Sequence, residues 1–187
     1  SLLPSATEIL CNVGGKDLLV GRSHECDFPD GLEHLPVLTA ARTTYAGGPG
    51  GVGASADIDR QVRDALEPSE PLAGGDTPPS LYELDTGMLE ALEPDIILTQ
   101  NLCEVCSIAL PEVEAAARRL GEATGREPRV ISLDPHTLEQ VYDDCLTIGR
   151  AIEREDDAMH AVAALRERFY AAADLVPAFA HAPVVGF

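Results

Sequence analysis

Short apolar runs alternate along this chain with segments that carry helix-capping signals, and that order limits the folds open to it. Leu18-Leu19-Val20-Gly21, Ile96-Ile97-Leu98 and Val130-Ile131-Ser132-Leu133 read as strands buried on both faces, because successive residues are apolar. Between them, Ser5-Ala6-Thr7-Glu8 has the spacing of a capping box, and Gly14-Gly15 can end the helix it starts. Asp85 is placed to cap a short helix through Glu93, since Pro94 forbids continuation. A helical pattern follows from Pro111 to Leu120, and a second capping box stands at Thr137-Leu138-Glu139-Gln140. This order predicts an α/β fold with a mostly parallel sheet. With 187 residues, 45% of them hydrophobic, the chain can bury the core of one domain or one and a half.

Two cysteine-bearing segments sit directly after strand patterns. Ser23-His24-Glu25-Cys26-Asp27 follows the first run, and Asn101-Leu102-Cys103-Glu104-Val105-Cys106 follows Asp95 to Gln100. In a parallel sheet both would emerge at the strands' carboxyl ends, the edge where α/β proteins bind ligands. His24, Cys26, Cys103 and Cys106 are therefore expected on one face, and all four are soft, coordinating side chains. Together they have the composition of a Zn site, while the Cys103/Cys106 spacing also suits a disulfide or redox pair. The ordinary alternative is a polar turn whose imidazole is satisfied by a carboxylate such as Asp27. Cys11 and Cys145 fall inside apolar helical patterns, where a free thiol behaves as a small hydrophobe.

The charge balance excludes whole classes of partner. Thirty-two acidic residues face 13 basic ones, for a formal charge of -19, and Lys16 is the single lysine. Nucleic-acid binding needs positive surface to displace counterions, so no nucleic-acid partner is expected. An anionic membrane face would likewise repel the chain. Acidic residues spread without a block of five suggest a solvated negative shell of the kind suited to a high-salt organism. No Gly-x-Gly-x-x-Gly follows a strand and opens a helix, no Gly-Lys-Ser/Thr occurs, and the glycines at Gly47 to Gly53 lack the basic partner that phosphate would require, which argues against a nucleotide enzyme. No stretch approaches the length of a membrane span.

Two stretches break the rhythm. Tyr45 to Ser80 is rich in Gly and Pro around one helical island near Asp57 to Leu66, and reads as a surface loop or lid. Thr137 to Val176 is helical almost throughout, with Leu138, Val141, Cys145, Ile148 and Ile152 at helical spacing, and is longer than an ordinary crossover helix. Pro177 stops it, and Pro183-Val184-Val185-Gly186-Phe187 starts a new strand pattern. The opening Ser1-Leu2-Leu3-Pro4 reads as the tail of a strand, which is compatible with an upstream leader or lipid anchor.

Three segments in this order carry a resemblance: Ser1-Leu2-Leu3-Pro4-Ser5-Ala6-Thr7-Glu8, Val20-Gly21-Arg22-Ser23-His24-Glu25-Cys26-Asp27-Phe28-Pro29, and Leu92-Glu93-Pro94-Asp95-Ile96-Ile97-Leu98. Over nearly all its length the chain resembles the N-terminal lobe of the helical-backbone substrate-binding proteins of ABC importers, and within them the cobalamin (vitamin B12)-binding group, whose relatives carry iron-siderophores, haem or metal ions. The resemblance implies an N-terminal α/β lobe over 1–136, a long interlobe backbone helix over 137–176, and the start of a second lobe over 177–187. It also implies a binding protein and not an enzyme, holding a corrinoid or related metal chelate between lobes and delivering it to a membrane permease, in a periplasmic or extracellular location. A cytoplasmic location also stays open. The cleft-lining loops carry over to Pro4, Ser5, Ser23, His24, Glu25, Cys26, Asp27, Gln100, Asn101, Cys103 and Cys106. No covalent cofactor is implied.

Departures from the pattern are specific. Where the family can place an acidic permease-docking residue this chain has Gly87, with Glu83, Asp85 and Glu90 nearby, and four soft donors are unusual for a plain corrinoid site. Four Phe, four Tyr and no Trp make a richly stacked haem pocket less attractive than a corrinoid site. Two other functions use the same residues: a thiol oxidoreductase or metal-dependent enzyme working through His24, Cys26, Cys103 and Cys106, and a Zn-binding accessory protein. An isolated lobe would also expose surface that favours self-association.

Overall fold

The computed structural model describes residues 1–44, 54–66, 80–101 and 107–175. Its elements in chain order are α1 (Pro4–Asn12), a 3-10 turn (Lys16–Leu18), β1 (Thr39–Ala41), α2 (Ala54–Leu66), β2 (Tyr82–Leu84), α3 (Thr86–Leu92), β3 (Ile96–Gln100), α4 (Leu110–Thr124), β4 (Arg129–Leu133), α5 (Leu138–Ala151) and α6 (Glu155–Asp174). The fold is α/β with a small parallel sheet, in which β3 pairs with β4 so that Leu98 lies opposite Ile131. A short antiparallel pair, β1 with β2, brackets the Gly/Pro-rich region. Residues 45–53 and 67–79 of that region, and 176–187 with the expected start of a second lobe, lie outside the described residues.

Extended segments continue the parallel sheet beyond its two regular strands. Leu2 donates its amide to the Leu98 carbonyl at 2.9 Å, and the Ser1 amino group donates to Gly21 at 2.9 Å. Arg22 then bridges in parallel to Val37. The expected strand at Leu18 to Gly21 is therefore reduced to a 3-10 turn followed by two or three extended residues. Leu18 and Val20 are about half exposed, so the apolar run there does not mark a buried strand.

Alternation along these segments sends neighbouring side chains into two separate cores. Leu3, Leu98 and Ile131 join Leu10 of α1, Cys145 and Ile148 of α5 and Val162 of α6 on one face. Leu2 and Ile97 join Leu89 of α3 and Val113 and Ala117 of α4 on the other. Helices on both faces explain why the strand sequences are apolar at consecutive positions.

Several ends form as their residues predict. Asp85 accepts the Met88 amide at 2.8 Å, α3 stops before Pro94, and Thr137 with Gln140 completes a capping box. At α1 the expected capping box is absent. Pro4 takes the first helical position, where its lack of an N–H costs nothing, so Ser5 lies inside the helix and Leu3 is an N-cap without a side-chain bond.

The expected continuous helix over 137–176 is divided into α5 and α6. Its break is a C-terminal motif in which Arg154 N–H reaches the Gly149 carbonyl at 2.8 Å, Glu153 N–H reaches Arg150 at 3.3 Å, and Glu153 takes the left-handed conformation at φ 59°. Arg154 then clamps the turn to the end of α1 by donating to the Gly14 carbonyl and the Asp17 carboxylate. The two helices touch where Gly149 meets Ala158, and a Cβ built on Gly149 would stand 2.3 Å from the Ala158 Cβ.

That contact gives a direct test. Alanine is a better helix former than glycine by about 1 kcal/mol, yet Gly149→Ala should destabilise the chain by roughly 1–3 kcal/mol through overpacking. Urea denaturation should show a lower midpoint; an unchanged or raised midpoint would mean that α5 and α6 are not held in close contact.

Candidate functional site

At the carboxyl ends of the parallel segments the chain forms a small cavity of about 40 Å³. Pro4 enters it from the start of α1, Ser23 and Glu25 from the turn after Arg22, and Gln100 from the end of β3. Thr39 and Tyr82, from β1 and β2, supply its other polar wall. The convergence follows from topology: each of these segments leaves the sheet in the same direction, so its next residue arrives at the same edge.

A hydrogen-bonded cluster fixes the polar wall. Thr39 Oγ1 donates to Ser23 Oγ at 3.0 Å and accepts the His24 amide at 3.1 Å, while His24 Nδ1 lies 2.7 Å from the same oxygen. Ser23 Oγ also accepts the Glu25 amide at 3.3 Å. Ser23 and Thr39 are only 3% and 5% exposed, so each needs these partners. The Tyr82 hydroxyl donates to Glu25 Oε1 at 3.2 Å, and its ring lies 5.5 Å from the imidazole of His24. Burial, and then the adjacent Glu25 charge and hydrogen bond, raise the Tyr82 phenol above its ordinary value of 10.0.

The remaining sequence-selected residues are distributed around this cluster. Cys26 is 4% exposed and turns inward, with Sγ 3.1 Å from Thr7 Oγ1 of α1, whereas His24 turns to Thr39. The imidazole is thus satisfied by a hydroxyl and not by Asp27, which is exposed. Ser5 and Asn101 are also exposed. Cys103 and Cys106 lie outside the described residues, and with them the expected meeting of four soft donors. Among the described residues no group of three or more His, Cys, Asp or Glu side chains is placed to hold a bare metal ion.

Sequence reading does not select Thr39 or Tyr82. The signal for Thr39 is a fourth, shorter apolar run, Val37-Leu38, followed by a polar residue; β2 is too short to announce itself.

A second cavity, of about 370 Å³, opens at the opposite, amino end of the strands. It is mainly apolar, bounded by Leu18, Val20, Ile96 and Ile152, and Ser1 borders it. Its size exceeds that of the first cavity, but it lacks the convergent hydroxyl, carboxylate and amide side chains of Ser23, Thr39, Tyr82, Glu25 and Gln100 that orient a ligand. The polar cavity is therefore the better candidate.

No family model matches the chain, and no curated protein is similar to it. Two solved structures share its fold. One is a periplasmic heme binding protein from Pseudomonas aeruginosa, 20% identical with a TM-score of 0.55, matched over 91% of this chain and 43% of its own. The other, from Staphylococcus epidermidis, is described as a possible iron-binding, periplasmic solute-binding protein; it is 20% identical with a TM-score of 0.58, matched over 94% of this chain and 50% of its own. The chain thus shares the fold of part of these structures and spans about half their length.

Removing the Glu25 charge should let Tyr82 ionise at lower pH. In absorbance titrations at alkaline pH, Glu25→Gln should move one of the four tyrosines downward, and the moving component should vanish when Tyr82→Phe is added. Superimposable titrations of Glu25→Gln and the parent chain would contradict the contact.

Proposed function

We propose that this chain is the N-terminal lobe of an ABC-importer substrate-binding protein and that its polar cavity contacts one face of a metal chelate, with a corrinoid as the favoured ligand. The observation that carries this reading is the convergence of Pro4, Ser23, Glu25 and Gln100 on one notch at the strands' carboxyl edge. The likeness of fold to the haem-binding and iron-binding neighbours supports a solute-binding role in the periplasm or outside the cell. No helix among the described residues is long and apolar enough to cross a membrane.

A notch of about 40 Å³ holds no more than one arm of such a ligand, so the rest lies across its mouth. Net charge bears on ligand choice. At -19, the chain repels a porphyrin with ionised carboxylates more than a corrinoid whose side arms are amides.

Equilibrium dialysis of the chain against cobalamin, cobinamide and haemin tests the reading. A corrinoid should be retained and recovered unchanged, with haemin held more weakly at low salt. Gln100→Ala should weaken retention by about tenfold, roughly 1.4 kcal/mol, without lowering the melting temperature. Retention of none of these ligands, or chemical conversion of one of them, would refute the assignment.

A further inference from the structure

Among the described residues, Glu25 is the single charged side chain on the lining of the polar cavity, and it is held there from two directions. Ser23 Oγ accepts its amide at 3.3 Å, and the hydroxyl of Tyr82, 57 positions further along the chain, donates to its Oε1 at 3.2 Å. Bonded at its amide and at its carboxylate, Glu25 is a positioned charge. Burial and the neighbouring carboxylate both raise the Tyr82 phenol, which keeps it a donor at neutral pH. Tyr82 takes one of the roughly four acceptor sites of an ionised carboxylate, leaving capacity for a second donor. Gln100, at the end of β3, lines the same cavity, and its side-chain amide carries both donors and an acceptor.

Size narrows what can enter. About 40 Å³ admits roughly three water-sized groups. That is room for the carbon, oxygen and nitrogen of a primary carboxamide but not for a ring.

We infer that this cavity reads one side arm of the chelate and selects an arm ending in a primary carboxamide over one ending in a carboxylate, with Glu25 as the specificity-determining residue; this deepens the chelate-binding assignment and rests on it. Amide and carboxylate have nearly the same shape, so packing alone cannot separate them. Glu25 separates them by charge and by hydrogen: it accepts from an amide N–H, whereas a carboxylate brings a second negative charge and no donor. Gln100 completes the match by donating to the arm's carbonyl oxygen. An alkylammonium arm would satisfy Glu25 but leave the Gln100 donors without an acceptor. The effect is local and therefore separable from bulk repulsion, which is spread over 32 acidic residues and barely changes when one of them is neutralised.

Three corrinoids with the same macrocycle, each with both axial positions closed by cyanide, test this on the whole chain. Cobinamide has amide arms, cobyrinic acid has carboxylate arms, and the heptamethyl ester of that acid is uncharged but has no N–H. Cobinamide should bind at least about tenfold more tightly than either of the others at physiological salt. Glu25→Gln, which keeps size and shape, should raise affinity for the acid and remove most of the preference for amide over acid. Glu122→Gln, which takes the same charge from an exposed position on α4, should leave that preference unchanged. A preference that survives Glu25→Gln as fully as it survives Glu122→Gln, or an acid or ester that binds as tightly as cobinamide, would overturn the arm selection while leaving the chelate-binding cavity standing. Retention of none of the three would overturn both.

Discussion

The backbone hydrogen bond from Leu2 to Leu98 joins the two halves of the sheet, and much of the rest of the structure depends on it. Together with the Ser1 to Gly21 bond it inserts a two-residue extended segment between β3 and the Arg22 bridge. A one-residue slip at this seam would exchange Leu2 and Leu3 between the two cores, since side chains alternate along an extended segment. Both are at most 6% exposed, so the register is strongly specified. The same seam aims Pro4, and with it the start of α1, at the polar cavity.

From that register the cavity follows with few additional requirements. The segments that end at Pro4, Ser23 and Gln100 run the same way and stop at the same edge, where Thr39 at the start of β1 joins them, so four segments bring small or polar residues to one place. Ser23 and Thr39 then satisfy one another at a site too buried for water to compensate freely, and Thr39 also holds the amide and Nδ1 of His24.

Legibility in the sequence varied with how local the determining interaction is. Asp85, Pro94 and the Thr137/Gln140 box act within a few residues, and the elements they bound form as read. The break after Ala151 hides because a glutamate, Glu153, occupies the left-handed position usually marked by glycine, and because the closeness of Gly149 to Ala158 is a tertiary contact. Leu18 to Gly21 misleads for a related reason: apolar residues there border a cavity and not a packed sheet face. At the site, the carboxyl-edge rule brought Ser23, Glu25 and Gln100 together from sequence alone. The side chain of Cys26 was not readable in that way, because its direction depends on Thr7 in a different element.

The central claim is that ligand chemistry belongs to the small polar cavity and not to the larger apolar one at the other end of the strands. Amide chemical shifts of the isotope-labelled chain titrated with dicyanocobinamide, which is diamagnetic, test it most directly. The account predicts perturbations concentrated at Ser23, Thr39, Tyr82 and Gln100. Perturbations concentrated instead at Leu19, Gly21, Ile96 and Ile152, around the apolar cavity, would contradict it.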